Sequence, residues 1–317
     1  MASRAKRAQA PARPLLLERG RPSHGQPREA GAALTVGGYA TEMQLSDSER
    51  ASGRLAPSTV HAAVEHVRNN GFVLFERVLP RDLVADMQSS FAMLIDTHSS
   101  STEANRGANR FQMHLPFEPP FNDERLIASP FVLPIVDALI GADCICHYLA
   151  SDTPLPGSDY QEVHPDIFPL FPEWPAAMPP YSIVLNTPLI DVTPDNGPLE
   201  IWPGGTHHYV AERSEVPALA AEMHSEPVLM PAGSLVIRDS RMWHRGTPNR
   251  SGAPRPNVTL IYSRFWLKLR YRPIPIRLET YERLSERARR LFRHEAIGVA
   301  ADGLHDLSPA QFYALPS

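Results

Sequence analysis

"GSLVIRDSRMWHRGTPNRSGAPRPNVTLIYSRFW", residues 233 to 266, holds two short apolar runs, "SLVIRD" and "NVTLIYS", separated by a stretch dense in Gly, Pro, Asn and Ser. Runs of that length, rich in β-branched residues and bounded by turn formers, read as strands. Similar runs recur back to residue 110: "RFQMHL", "CICHYLA", "YSIVLNTPLI", "LEIWPG" and "EPVLM". Many short strands joined by turn chemistry predict a β-sandwich or jelly roll rather than a parallel α/β sheet.

Outward from this region the texture becomes helical. Residues 58–71, "STVHAAVEHVRNNG", repeat Val60, Val64 and Val67 at helical spacing and stop at Asn-Gly. "FVLFERVL" reads as a strand, and "PRDLVADMQSSFAMLIDTH" as a second helix with Leu83, Met87, Phe91 and Leu94 on one face and proline in its first turn. One helix interrupts the strand region at "SPFVLPIVDALIG", and "YERLSERARRLFRHEAIG" predicts one amphipathic helix covering the outside of a barrel. Residues 1–45 lack periodicity and are expected to be a disordered tail, although an arginine-rich, acid-poor start also fits a transit peptide. A single domain is expected over 46–317, with its β core at about 110–267 and a helical extension over 276–317.

With 43% hydrophobic residues in 317, the chain can fill a core, and a net charge of -4 gives no bulk attraction for nucleic acid or an anionic membrane. A small-molecule partner is expected. No apolar run is long enough to cross a bilayer, which predicts a soluble, cytoplasmic protein, monomer or homodimer. Cys144 and Cys146, two apart, are poorly placed for a disulfide and read as reduced packing residues.

The chemistry begins at "HPDIFPLFPEWP", residues 164–175. His164 and Asp166 are two apart; on a strand that places both side chains on one face, about 6 to 7 Å apart along the chain. Among thirteen histidines a chance H-x-D is expected, so a third ligand has to support it. His244 follows the strand "GSLVIRD" and precedes a Gly/Pro/Asn turn, and a jelly roll brings such a late strand beside an early one. Two histidines and one carboxylate make the facial set that holds non-haem Fe(II) with open positions. Arg255, eleven residues after His244 and at the start of the next strand, can present a planar fork to a carboxylate. His224-Ser225-Glu226 is a decoy, too near His244 in the chain to leave room for the intervening strands.

"GFVLFERVLPRDLV", "QEVHPD", "PDNGPLEIWPGGTHH" and "HRGTPNRSGAPR", in this order across residues 56–267, resemble the phytanoyl-CoA dioxygenase family of Fe(II)/2-oxoglutarate oxygenases. The resemblance implies a mainly β fold with a double-stranded β-helix (jelly-roll, cupin-like) core and flanking α-helices. It implies His164, Asp166 and His244 as metal ligands and catalytic residues, and Arg255 as the group that binds the far carboxylate of 2-oxoglutarate. Fe(II), 2-oxoglutarate and O2 are the implied cofactors. The carboxylate at Asp166 disfavours halogenation, because iron halogenases of related fold carry a small residue there. Thr206 stands where serine is commoner, and Pro165 inside the H-x-D pair stiffens the ligand segment.

Gln112, Gln161, Asn186 and Thr247 are the further candidates for binding the cosubstrate, Thr247 and Asn249 being equally readable as turn residues. Phe168, Trp174, Trp202 and Arg110 are candidates for substrate contact; Phe171, Tyr209 and Arg238 read equally as packing or surface residues. The expected function is oxidation, most simply hydroxylation, of an unactivated C–H bond in a small to medium organic molecule of specialised metabolism, releasing succinate and CO2. A non-catalytic jelly-roll binding protein, or a cupin-type metalloenzyme independent of 2-oxoglutarate, is the alternative.

Overall fold

Helix and strand boundaries in the first third follow local chemistry. In the computed structural model, which describes residues 42–174, 176–267 and 272–299, a short strand β1 (Glu42–Met43) and a capped helix α1 (Asp47–Ser52) lead into α2 (Pro57–Asn70). Pro57 pre-sets the first turn of α2, and Val64 and Val67 are buried. Gly71 ends the helix at φ +91°, where a Cβ would meet Met242 Sδ at 2.8 Å, so conformation and close approach both demand glycine. After β2 (Phe72–Phe75), α3 (Arg81–Ser101) buries Leu83, Met87 and Phe91. Pro80 is its N-cap, extended at ψ 143°, rather than a first-turn residue.

The β region comprises β3 (Arg110–His114), β4 (Ile145–Pro154), β5 (Ser182–Pro188), β6 (Leu199–Ile201), β7 (Glu226–Val228), β8 (Leu235–Asp239), β9 (His244–Gly246) and β10 (Asn257–Ser263). Helices α4 (Glu124–Ile127) and α5 (Leu133–Ile140) precede β4, and α6 (Val216–Ala221) precedes β7. A seven-stranded sheet runs β1-β2-β8-β5-β10-β4-β3, and a three-stranded sheet runs β7-β6-β9. The two stack as a jelly-roll sandwich and do not close into the expected barrel. The expected C-terminal helix is two: Leu284 is extended, and Ser285 Oγ accepts from Ala288 N at 3.2 Å, so α7 (Leu278–Arg283) ends and α8 (Glu286–Phe292) begins. They are flanked by β11 (Pro275–Ile276) and β12 (Ala296–Ile297), which pair in parallel. The disordered tail expected at 1–45 falls almost wholly outside the described residues, as does the end of the extension.

Strand alternation divides the large sheet into two unlike faces. Val73 and Phe75 of β2, Ile183 and Leu185 of β5, Leu235 and Ile237 of β8, and Leu260 and Tyr262 of β10 join the helices in one apolar core. The other face starts apolar at β2, where Phe72 and Leu74 pack with Val236, Ile201 and Val228 between the sheets. It then turns polar: Arg238, Asn186, Thr259, Asp152, Gln112 and Arg110 occupy the same side of successive strands. Apolar side chains hold the sandwich shut at one edge, and polar ones line a cavity at the other. Cys144 and Cys146 are reduced and buried in the helix-side core.

Candidate active site

His164 sits in no regular strand, because the residue after it is a proline with no N–H to extend a ladder. One reciprocal pair of bonds fixes it instead: His164 N donates to His244 O at 3.0 Å, and His244 N to His164 O at 3.1 Å. Asp166 N donates to Ser240 O at 2.9 Å, and Gln161 N to Gly246 O at 3.0 Å. The segment 161–166 is thus stitched to β9 and to the turn before it despite the proline. The ligand atoms of His164, Asp166 and His244 all lie within 4.8 Å of one another.

The histidines are oriented from behind. Nδ1 of His164 donates to Glu162 O at 2.6 Å and Nδ1 of His244 to Met242 O at 2.9 Å. A carbonyl only accepts, so each Nδ1 carries a proton and each Nε2 is the nitrogen turned toward the shared site. Burial, helped by neighbouring His244 and opposed by Asp166, pushes His164 down to about 4, so the ring is neutral at physiological pH. Asp166 Oδ1 lies 3.4 Å from His244 Nε2, while Oδ2 accepts from Arg238 Nη2 at 2.6 Å. Burial opposes ionisation of Asp166, but Arg238 and the imidazoles outweigh it and hold the carboxyl well below its usual range. Arg238 is itself held by Asn186, whose Oδ1 accepts from its Nε at 3.1 Å and whose Nδ2 donates to Thr259 Oγ1 at 3.0 Å. Two imidazoles and one ionised carboxylate, converged and pre-oriented, fit a divalent first-row metal.

These residues open on a cavity of about 100 Å³. Its other end holds Arg255, buried at the start of β10, whose Nε and Nη2 donate to Gly197 O at 3.1 and 2.7 Å. Burial pushes Arg255 down to about 10, with Asp152 opposing and Arg110 adding to the effect; the group stays cationic at neutral pH. The lining carries four arginines (106, 110, 238 and 255) against two carboxylates (Asp152 and Asp166), so the cavity favours an anion. A larger groove of about 440 Å³ on the outside of α3, lined by Phe91, Ile95, Leu155, Pro254 and Pro256, holds no comparable set of charges.

Gln112, Gln161, Asn186 and Arg110 line the cavity. Gln112 is bound to Arg106 and to the Tyr148 hydroxyl, and Gln161 Oε1 accepts from Gly246 N at 2.9 Å. Thr247 does not line it: its hydroxyl donates to Pro198 O at 2.7 Å. Asn249 is a turn residue, its amide donating to Pro154 O and Ala253 O. Trp202 points away, packed with Val163, Val216 and Trp243, and its indole N–H donates to Ala220 O at 2.9 Å. Phe168 and Trp174 stand outside the lining, Trp174 with more than half its surface exposed. Tyr148, Asp152, Asn257 and Thr259 line the cavity and were not singled out in the sequence; alternation within "YLASDTP", beyond the register shift of β4, and within "NVTLIYS" is the signal that would have found them.

The sequence profile of the phytanoyl-CoA dioxygenase (PhyH) family matches residues 67–257, which contain His164, Asp166, His244 and Arg255. Among solved structures, the chain is similar to AviO1 from Streptomyces viridochromogenes Tue57, with TM-score 0.51 and 20% identity over 68% of this chain and 99% of that one. It is similar to the non-heme alpha-ketoglutarate dependent epimerase SnoN from nogalamycin biosynthesis, with TM-score 0.51 and 18% identity over 66% and 84%. It is also similar to EctD from S. alaskensis, solved with bound Fe, with TM-score 0.50 and 19% identity over 66% and 77%.

Proposed function

The chain belongs to the phytanoyl-CoA dioxygenase family of Fe(II)/2-oxoglutarate-dependent oxygenases, and from that premise we propose that it hydroxylates an unactivated C–H bond of a small to medium organic molecule of specialised metabolism. The observation that carries the reading is the convergence on one cavity of His164, Asp166 and His244 at one end and buried Arg255 at the other. His164, Asp166 and His244 would hold Fe(II), which with 2-oxoglutarate would supply oxidising power from O2, with succinate and CO2 as co-products.

The protein's part is placement. The Nδ1 bonds of His164 and His244 fix the two rings with each Nε2 turned toward the metal site. Arg238 holds one oxygen of Asp166 and leaves the other turned to the histidines. Arg255 would hold the cosubstrate's far carboxylate through its planar fork. Gln112, Gln161 and Asn186 stand along the same wall and complete the polar lining for cosubstrate or substrate. No described helix is long and apolar enough to cross a membrane.

Anaerobic titration of the apo protein with Fe(II) and then 2-oxoglutarate tests this, followed by the weak visible metal-to-ligand charge-transfer band. The band is expected in the wild type and lost in His244→Ala and Arg255→Leu. A protein that binds Fe(II) but never shows the band refutes 2-oxoglutarate dependence. Once a substrate is in hand, product mass separates hydroxylation, which adds one oxygen, from epimerisation, which leaves mass unchanged.

A further inference from the structure

One row of the large sheet's cavity face belongs to neither the metal end nor the arginine end. Val184 lies opposite Arg238 across β5 and β8, and Ile261 opposite Val184 across β10 and β5. On β4 the register slip sets two residues, His147 and Tyr148, against Ile261 alone, which turns Tyr148 to the cavity side with Ala150 and Asp152. Tyr148, Ala150, Val184 and Ile261 pack as one small apolar cluster, and all but Ala150 line the cavity. This strip starts beside Arg238, which holds Asp166, and crosses three strand steps of about 4.8 Å each to reach Tyr148. Arg255 stands just before β10, whereas Ile261 lies about 13 Å beyond the strand's first residue, Asn257. A cosubstrate reaching from the metal ligands toward Arg255 therefore leaves the strip uncovered.

The far end of the strip is cationic. Gln112 ties Tyr148 to Arg106: its Nε2 donates to the phenol oxygen, and its Oε1 accepts from Arg106 Nε. Arg106 is exposed at the rim of the cavity, and a bond through Nε leaves its Nη1–Nη2 edge, which can fork onto a carboxylate, turned from Gln112. His114, the next residue on the cavity face of β3, meets Tyr148 edge-on with ring centroids 5.7 Å apart. Partial burial, then the positive fields of Arg272 and Arg106, push His114 down to about 4. Arg272 also carries a buried Nε with no hydrogen-bond partner among the described residues. No described carboxylate lies within ion-pair distance of Arg106 or Arg272, and Asp152 is spent on the arginine end. No helix N-terminus contributes to the lining, so the rim lacks the array of backbone N–H groups that favours phosphate.

We infer that the substrate is an amphipathic carboxylate, its anionic end held at the rim by Arg106 in the field of Arg272 and its apolar body lying over Ile261 and Val184. The C–H bond that meets the metal site is then on the order of 10 Å from the carboxylate, the width of two strands. The inference rests on the proposed 2-oxoglutarate-dependent oxidation and adds to it the class of molecule oxidised.

The test is calorimetric titration of the full-length protein, loaded with Mn(II) and saturating 2-oxoglutarate, with octanoate, octan-1-ol and octyl phosphate. Octanoate should bind about 10-fold more tightly than octan-1-ol at low ionic strength, an advantage that added salt reduces. Arg106→Met should remove that advantage and leave octan-1-ol and 2-oxoglutarate affinities within about twofold of wild type. Ile261→Ala should instead weaken octanoate and octan-1-ol alike, by about 3- to 10-fold, because it removes apolar contact common to both. Octanoate bound no better than octan-1-ol, or bound equally well by Arg106→Met, overturns the carboxylate site, as does a marked preference for octyl phosphate. Wild-type affinities in Ile261→Ala overturn the placement of the apolar body. If the Mn(II) protein takes up no 2-oxoglutarate, the functional reading itself fails, whereas uptake of 2-oxoglutarate without preference for octanoate rejects only the substrate class.

Discussion

The two ends of the cavity are built on opposite principles. At the metal end the orienting bonds are made within the protein: imidazole Nδ1 to carbonyl, Asp166 to Arg238, Arg238 to Asn186, Asn186 to Thr259. At the arginine end the guanidiniums of Arg110 and Arg255 bond only to neutral carbonyl oxygens, of Thr247, Asp159 and Gly197. The first end is organised before any ligand arrives, as a metal with strict ligand geometry requires. The second would be completed by the anionic ligand proposed for it. An anion there gains two things at once, the charge attraction and the relief of donors the fold leaves unmet.

Asp166→Ala breaks this contrast most severely, because it makes the metal end resemble the other. Fe(II) binding should be abolished, and Arg238, 4% exposed, would be left without its carboxylate. Arg238 is buried while the Asp166 side chain keeps 25% of its surface exposed, so stranding the guanidinium costs about 1 to 3 kcal/mol. Both are readable, by metal content after dialysis and by urea unfolding of the metal-free protein. A variant that binds no Fe(II) yet keeps wild-type stability would show that Arg238 finds water instead and that the metal end is less closed than its geometry implies.

Arg238→Met should have the next largest effect. The ligands themselves remain, but Asp166 loses the bond that holds Oδ2 away from the histidines, and Fe(II) affinity should fall about 10- to 100-fold. Competition with a chromophoric chelator measures it. If affinity is unchanged, the bridge from His164 to His244 and the bond from Asp166 N to Ser240 O suffice to place the carboxylate.

How much of this was legible in the sequence differs between the two ends for the same physical reason. His164, Asp166 and His244 announce themselves through local spacing and order, and Arg255 through its separation from His244. The lining of the large sheet does not. Asp152, Thr259 and Asn257 are ordinary strand residues until it is known which face the helices cover. The register between β10 and β4 also slips between Leu260 and Tyr262, so parity counted along one strand does not transfer to its neighbour. Trp202 shows the converse error. An aromatic in a loop near the site invites a substrate role, but Leu199 and Ile201 face the cavity side, and alternation from them turns Trp202 outward into its own cluster. The pairing of Asp166 with Arg238 joins residues 72 apart in sequence and needs the fold to be seen.

The arginine end supplies a smaller and opposite effect. Because Asp152, 4.0 Å from Arg110 Nη1, is the one carboxylate beside these cations among the described residues, metal-free protein should be stabilised by 2-oxoglutarate alone. At a hundredfold excess over its dissociation constant the linkage contribution is about 2.7 kcal/mol, a rise in Tm of roughly 5 °C for a domain of this size. Arg255→Leu should abolish the rise, and Asp166→Ala should keep it. If the rise appears only after Mn(II) is added, the arginine end is not an independent anion site and the two ends are one cooperative unit.

Trp174→Ala is expected to change least, and it sharpens the comparison by testing a third region against both ends. Residues 168–174 follow the metal ligands directly, yet Trp174 keeps 57% of its surface exposed and stands outside the cavity lining. Its backbone N–H donates to Phe171 O at 3.0 Å, a bond that alanine preserves. Surface substitutions of this kind move stability by about 0.5 kcal/mol or less. Fe(II) and 2-oxoglutarate affinities should therefore stay within about twofold of wild type, with Tm unchanged to about one degree. If they do, any loss of turnover with an identified substrate isolates Trp174 as a substrate contact made over the cavity mouth. If cosubstrate affinity falls instead, the proline-rich segment reaches into the site, and the metal end extends further along the chain than its hydrogen bonds show.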